Sequence, residues 1–397
     1  MTHDPRGPLA GLRVLALEQA VAGPLCTRHL ADLGADVIKI ERPGAGDFAR
    51  GYDSAVLGQS SYFVWLNRNK RSLALDMKHP EARGILERLV ARSDVLVQNL
   101  GPGAIDRLGL APGRLRRDYP ALVICSVSGY GAGGPYEHRK AFDLLLQGET
   151  GVIATTGTDD APAKVGVSVG DIGAGVYGAM ATLAALYERQ ATGEGRVVET
   201  SLFDALSEFM GYPALFAKYS GTAPARAGLR HATVVPYGSY RCQDGAVLLA
   251  VQTAAQWDAF CRLVCRRPEW LEDARFRDSP ARRVNRDALE SAIEETLAAV
   301  PRAEVVRRLE EADIPFGSQL DVTEFVEHPQ LAARGRWRPV ETPGGVVESI
   351  VPAMDLEGAP HRMDPMPAVG QQTDQILGEA GYTAAEIAAL RARGAVA

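Results

Sequence analysis

Cysteine is scarce and carries no pattern: the five present, Cys26, Cys125, Cys242, Cys261 and Cys265, form no CxxC pair. Neither a disulfide framework nor a zinc site follows from such a set, and reduced, packed thiols of a cytoplasmic protein are expected. A basic excess is missing too. With 43 Lys and Arg against 49 Asp and Glu, the net charge is -6, which argues against a nucleic-acid partner and leaves cations to matter only locally. No run approaches the roughly 18 consecutive apolar residues of a membrane span, and MTHDPRGPLAG lacks the apolar core of a signal segment, so a soluble, unprocessed chain is expected. Internal repeats and low-complexity tracts are absent as well. What is there is ordinary globular material, 46% hydrophobic and 23% charged, and 397 residues are more than one core usually accommodates, so two domains are expected.

The first 130 residues alternate strand-like and helix-like patterns. Leu12 to Leu17 (LRVLAL) is an apolar run of strand length, Leu25 to Leu33 has helical spacing, and Asp36 to Ile40 (DVIKI) reads as a second, parallel strand. A helix at Pro80 to Ala91 and strands at Val95 to Val97 and Leu122 to Val127 continue the series, which predicts an open α/β sheet. A helix starting near Phe142, a long Ala-rich helix to Arg189 and a strand at Val197 to Thr200 close a large domain at 1–210. Pro, Gly and Ala then dissolve the pattern into an expected linker, 211–230. A smaller α+β domain is expected over 231–327, and a return segment over 328–397 completes the large one, ending in a helix that Thr383 and Glu386 cap together.

The residue that concentrates chemical interest is Asp171, in SVGDIGAGVYGAMATLAAL. It stands between a β-prone run, Val165, Val167 and Val169, and a helical pattern, which is where an Asp serves as N-cap. The glycines that follow, Gly173, Gly175 and Gly178, each disfavour a helix by about 1 kcal/mol relative to alanine. Another helix or a bulky ligand must therefore approach that backbone closely. A cap position would also hold the carboxylate ionised through the helix dipole and leave N–H groups for an oxyanion.

Other constellations are weaker. Gly129, Gly131 and Gly134 fit GxGxxG after a strand, but Pro135 follows where a helix should be running, so the dinucleotide context fails. SVSGYG is not a serine nucleophile elbow. His231, with Arg226 and Arg230 nearby, makes a basic group that suits a carboxylate, against the bland alternative of a solvated linker face. Arg42, Arg50, Lys70, Arg71, Lys78, Arg107 and Lys140 are spread over loop-like positions, several of them after predicted strands. In an open α/β sheet that edge carries the ligand, and spread cations suit one with several phosphates.

At this point the chain resembles a known family, the class III coenzyme A transferases, which include formyl-CoA transferase and carnitine CoA-transferase. The resemblance rests on PLAGLRVLAL with AGP, LADLGADVIKIERPGAGD, NRNKRSLALDMKHPEA, VLVQNLGPGAIDRLGL, SGYGAGGPYEHRKAFDLLLQGETG and the Asp171 segment, in order through most of residues 8–208, and more loosely on HATVVPYGSYR. It implies Asp171 as the catalytic nucleophile on an acyl-CoA. It also implies Val21, Arg42, Leu75, Lys78, Asn99, Leu100, Arg107 and Lys140 as CoA contacts, the cations for phosphates and Leu75 for adenine. The implied architecture is a Rossmann-like large domain plus a smaller one, in an interlocked, ring-like homodimer. Coenzyme A would enter as acyl-CoA substrate, with small carboxylic acids as partners, no tightly bound cofactor and no metal. Arg226, Arg230 and His231 suggest dicarboxylates such as succinate, malate or a C5 acid. Val21 stands where formyl-CoA transferase has glutamine, its tetraglycine loop is missing, and Asp143 replaces a glutamate, so oxalate and formate specificity does not carry over. Two alternatives stay open: a racemase of the same fold, with His138 and Asp171 as the proton-transferring pair, and a non-catalytic acyl-CoA binder.

Overall fold

The structure is a computed structural model and describes residues 7–397; the first six, read above as part of a leaderless N-terminus, lie outside it. The chain forms two compact units, one of Met1–Val152, Val165–Gly211 and Ala332–Ala397, the other of Ile153–Lys164 and Tyr212–Leu331.

The first unit is built on β1 (Arg13–Leu17), α1 (Ala22–Asp32), β2 (Asp36–Glu41), α2 (Ser61–Asn67), β3 (Lys70–Ala74), α3 (Ala82–Val90), β4 (Val95–Gln98), α4 (Ala104–Arg107), α5 (Pro112–Asp118), β5 (Val123–Ser128), α6 (Asp143–Glu149), α8 (Val169–Thr192), β6 (Val197–Ser201) and α9 (Leu202–Phe209), while all but the first residue of the short α7 (Val152–Thr155) belongs to the second unit. The six strands form a parallel sheet in the order β3-β2-β1-β4-β5-β6. The expected open α/β sheet is thus present. Both faces are covered, which is why β1 reads as an unbroken apolar run: Val14 and Ala16 pack on one side, Leu15 and Leu17 on the other.

The helices divide between those faces. α1, α6, α8 and α9 share the Val14 face, whereas α3 and α5 share the Leu15 face. The β1–β2 connection steps one way across the first face, and β4–β5 steps the other way across the second, which makes them of one hand. The β5–β6 connection continues in the direction of β4–β5 but returns as α8 over the α1 face. It therefore has the opposite hand, against the strong preference of parallel crossovers. The consequence is local and functional: α8 lies alongside α1, so that Gly175 sits against the Ala22 carbonyl and Leu25.

Two expectations need correction here. NRNKRS is not a loop, since Lys70 and Arg71 begin β3, an edge strand whose inward lysine is fully enclosed. Gly211–Ser220, expected as linker, is a helix, α10. Its Tyr212, Leu215, Phe216 and Tyr219 fall at helical spacing, and Pro213 is in the first turn, where a missing N–H does no harm. α8 also differs from its reading by composition. At 24 residues and a mean hydropathy of 1.4 over its most apolar 18, it is long and apolar enough to cross a membrane, yet half of that stretch is buried within the protein, as in a core helix.

The second unit pairs β7 (Tyr237–Cys242) with β8 (Gly245–Ala250) and β8 with β9 (Phe316–Gly317), all antiparallel. Helices α11 (Ala254–Ala259), α12 (Ser279–Val284), α13 (Arg286–Leu297) and α14 (Arg302–Glu311) accompany this sheet, and Trp257, Phe260, Leu289, Ile293, Val305 and Leu309 close one core. After α15 (Val322–Val326) and α16 (Pro329–Ala333), the chain makes a β10–β11 hairpin (Trp337–Thr342, Gly345–Ile350), α17 (Thr373–Glu379) and α18 (Ala384–Ala392). α18 carries the expected capping box of Thr383 and Glu386. Ile376, Leu377, Ile387 and Leu390 fill the Leu15 face of the large sheet.

Candidate active site

Because the sheet is parallel, the loops that leave its strands lie at the carboxyl edge, and α8, which runs back from that edge to β6, starts there with Asp171 in its first turn. Asp171 is not the cap of this helix. α8 begins at Val169, Ser168 precedes it without a side-chain capping bond, and Asp171 occupies the third helical position. The cap is supplied from elsewhere: the Gly170 N–H donates to Asp143 Oδ1 at 2.7 Å, and the Asp171 N–H points to the same oxygen at 3.4 Å. The Val169 and Ile172 N–H groups donate to the carbonyls of Val167 and Ser168. The first-turn donors expected to be free for an oxyanion are therefore in use.

This rearranges the electrostatics. The Asp171 carboxyl, half-buried and without those donors, is pushed up to about 7 by burial first and by the neighbouring Asp143 charge second. The expectation that the helix terminus keeps it strongly ionised is overturned, because Asp143 takes the position the argument gave to Asp171. Glycines 173, 175 and 178 are likewise explained by protein and not by ligand. A Cβ at 173 would lie 2.8 Å from the Phe209 ring, one at 175 only 2.7 Å from Ala22 O, and one at 178 would meet the sulfurs of Cys26 and Cys125 at 3.4 Å. Small residues are what let α8 lie against α1, α9 and β5.

Opposite the start of α8 is the turn Gln19–Val21, which leads from β1 into α1. Ala20 is held in the left-handed region at φ 62°, its N–H donating to Asp47 Oδ1. Asn99 fixes Gln19 on both sides, accepting from its N–H at 2.9 Å and donating to its carbonyl at 2.8 Å. Val21, Leu25 and Leu66 form a small cluster against which Ile172 packs. The Tyr52 phenol also faces this point: burial raises its pKa first, and the charges of Asp47 and Asp171 add to that. Tyr52, Asp143 and Gln147, which backs Asp143, were not singled out as site residues by sequence reasoning.

A family model described as CoA-transferase family III matches residues 9–373. The chain belongs to this family. It is 37% identical over 332 residues to the acetyl-CoA:oxalate CoA-transferase of Acetobacter aceti, covering 83% of this chain and 85% of that protein. It is 34% identical to the succinyl-CoA:mesaconate CoA-transferase of Haloarcula marismortui, over 94% and 97% of the two. Among solved structures, a CAIB/BAIF family protein from Brucella suis superimposes with a TM-score of 0.82 at 33% identity, over 94% of this chain and 99% of that one. The protein is thus an enzyme, a class III CoA-transferase.

In this CoA-transferase all eight expected CoA contacts follow carboxyl ends: Val21 after β1, Arg42 after β2, Leu75 and Lys78 after β3, Asn99, Leu100 and Arg107 after β4, and Lys140 after β5. Their side chains are not equivalent. Leu75 is 1% exposed and bridged to Val396, so its side chain belongs to the core and the expected adenine contact is corrected; Val21 is 3% exposed. Asn99 spends its amide on Gln19, and Leu100 packs on the core. Arg42, Lys78, Arg107 and Lys140 are exposed, and none has a carboxylate within 4 Å among the described residues. The other cations of the set have partners. Arg50 is bidentate to Glu41, Arg71 pairs with Asp36 and Glu379, and Lys70 is buried on Glu18. Replacing Lys78 or Arg107 with alanine is expected to raise the KM for the acyl-CoA about tenfold, near 1.4 kcal/mol, with kcat little changed, read from initial rates at varied donor concentration.

The expected acid-binding group is spent on structure in the second unit. Arg226 donates to the carbonyls of Thr158 and Asp159, and Arg230 donates to Glu290 at 2.8 Å. The His231 ring stacks on Tyr237, with Nδ1 accepting from the Thr233 and Val234 N–H groups. Both arginines thus have protein partners in the second unit, and neither these bonds nor the stacking of His231 tests the expected contact with a substrate carboxylate. His138, the racemase candidate, is exposed in the loop after β5 and shares no hydrogen bond or ion pair with Asp171 among the described residues.

Proposed function

We propose that Asp171 is the covalent nucleophile of an acyl-CoA:carboxylate CoA-transferase. The observation that carries this reading is a basic, half-buried carboxyl at the carboxyl edge of the sheet, on the same edge as four cations that have no ion-pair partner among the described residues and suit the phosphates of CoA. The Asp171 carboxylate attacks the thioester carbonyl, the C–S bond breaks, and CoA leaves as thiolate, giving an aspartyl acyl anhydride. The thiolate then attacks the Asp171 carbonyl carbon, releasing the first acid and leaving an aspartyl-CoA thioester. An acceptor carboxylate attacks that thioester, the thiolate departs again, and its return to the acceptor carbonyl frees Asp171. Each step exchanges one acyl bond for another, so a difficult transfer is divided into easier ones. A carboxyl near 7 suits this chemistry, since a more basic carboxylate is a better nucleophile while still being ionised at neutral pH.

Oxalate and mesaconate, named for the two relatives, are dicarboxylates, and this supports a small dicarboxylate as acceptor. The interlocked homodimer belongs to the same proposal. Val176, Met180 and Tyr187 line up on the outer face of α8, with Tyr187 79% exposed, and Phe142, Leu144 and Leu145 are exposed on or beside α6. Apolar surface of that extent favours cover by another chain.

The test is incubation with succinyl-CoA or acetyl-CoA and a panel of mono- and dicarboxylic acids. Intact-mass spectrometry should find enzyme-bound CoA that hydroxylamine removes, placing a hydroxamate on Asp171. Solvent deuterium entering the carbon next to the thioester, with no exchange between acids, would instead favour the racemase.

A further inference from the structure

The Asp143 carboxylate that caps α8 is itself held from behind. Gln147, one turn further along α6, is 0% exposed in a helix whose Leu144 and Leu145 face outward. Both ends of its amide are engaged: Nε2 donates to Asp143 Oδ2 at 2.7 Å, and Oε1 accepts from the Val165 N–H at 2.8 Å. One side chain thus ties the capping carboxylate to the backbone four residues before α8 begins. Gly170 completes the cradle. A Cβ there would meet Asp143 Oδ1 at 3.1 Å and Leu206 at 3.0 Å, so the carboxylate lies directly on a glycine. α8 has no alternative of its own, since Ser168 makes no capping bond.

We infer that Gln147 is a positioning residue for the transfer reaction: by fixing Asp143 as the imported cap of α8, it denies the helix N–H groups to Asp171 and sets where the Asp171 carboxyl points. This rests on the reading of Asp171 as nucleophile. The logic is competition for donors. With Asp143 anchored on both oxygens, the two first-turn N–H groups are claimed; with Asp143 released, Asp171 can fold back onto them as an ordinary first-turn acid, lower in energy as carboxylate and poorer as nucleophile. The charged or titratable groups around Asp171 are Asp143 from α6 and the Tyr52 phenol. The other helices packed on α8 direct theirs elsewhere. His29 and Arg28 of α1 face Asp32 and Arg68, Asp204 of α9 bonds Ser201, and Glu208 faces Tyr177.

The experiment is a double-mutant cycle of Gln147→Leu and Asp143→Asn in the full-length enzyme, with kcat, the KM for the acyl-CoA and the pH–rate profile as readouts. Q147L is expected to lower kcat about 10- to 100-fold with the KM changed by less than about twofold. Its acidic limb should move to lower pH, as in D143N, and in the D143N background Q147L should change kcat by less than about twofold. An equal loss in both backgrounds, an unmoved limb or an unchanged kcat overturns the inference. If Q147L does not fold, the isosteric Gln147→Glu decides. A second carboxyl beside Asp143 keeps the bond only while the pair shares a proton, so Q147E activity relative to wild type should fall as pH rises, and a pH-independent ratio overturns the inference. An Asp171→Ala enzyme that still transfers CoA would instead remove the nucleophile reading, whatever Gln147 does.

Discussion

Asp171→Ala should lose transfer activity by at least about 10³-fold, the scale on which enzymes lose rate when a covalent nucleophile is removed, while acyl-CoA binding through the cations at the carboxyl edge persists. Asp171→Asn adds a second readout that separates chemistry from folding. The folded-state pKa of Asp171 is raised, to about 7, by burial first and Asp143 second. The native protein therefore holds this proton more tightly than the unfolded chain, whose Asp titrates near 3.9. Below that value the group is neutral in both states and has no effect. Between there and about pH 7 the unfavourable charge develops, and above 7 its destabilising contribution is complete. The neutral D171N protein should match wild-type stability below pH 4, exceed it increasingly up to pH 7, and keep a constant advantage above that. Thermal or urea unfolding across this range measures it. In the active wild-type enzyme the same ionisation should appear as an acidic limb in kcat/KM near pH 7. A D171N protein less stable than wild type at pH 8, or an activity flat from pH 5 to 8, would contradict this account.

Much of the architecture was legible because it rests on short-range patterns. β1, β2, β4 and β5 announce themselves as largely apolar runs since both faces of the sheet are covered, β6 shows only through Val197 and Val198, and the Thr383 and Glu386 pair marked the start of α18 directly. β3 was hidden because KRSLA opens with two cations. Lys70 is tolerated there through nearby Asn67 and, above all, through Glu18 and the Pro24 carbonyl, which stand about fifty positions away where no local window reaches. The proposed nucleophile was nameable from the sequence, but its environment was misread. Asp171 could be picked out, but the cap that decides its charge comes from Asp143, 28 positions earlier, across a chain excursion into another compact unit. The glycines were correctly read as a close approach, and only three-dimensional neighbours reveal that the approaching partners are Ala22, Leu25 and Phe209. The partners of Arg226 and Arg230 were not legible either: the backbone carbonyls of Thr158 and Asp159 and the Glu290 carboxylate lie about 60 positions or more away in sequence.

Lys39→Met should destabilise the protein by about 3–5 kcal/mol, the effect of removing one partner from a buried charge network. Lys39 has no exposed surface and lies between Glu18 Oε1 at 3.3 Å and Asp47 Oδ2 at 2.9 Å, while Glu18 also receives Lys70 at 2.7 Å and the Thr27 hydroxyl at 2.6 Å. Two carboxylates thus face two ammonium groups, and methionine of similar length would leave two negative charges against one positive in a closed space. Burial acts to raise the Glu18 carboxyl, but Lys70 and Lys39 beside it hold it below the usual carboxylate range. Since its folded pKa is depressed, Glu18 adds stability above the unfolded value near 4.3 and loses it as pH falls through the folded one. The K39M deficit should accordingly be large at pH 7 and shrink in acid, as a shift of the urea midpoint with unchanged slope would show. The change should reach the reaction as well. Asp47 Oδ1 holds the N–H of Ala20, the left-handed residue of the turn facing the start of α8, and an Asp47 freed from Lys39 loses the anchor that fixes that bond. At temperatures where K39M remains folded, kcat is therefore expected to fall while the acidic limb stays near pH 7, because Asp143 and its bond from Gln147 are untouched. Unchanged kcat in folded K39M would show that the buried network supports the sheet alone and leaves the turn to Asn99.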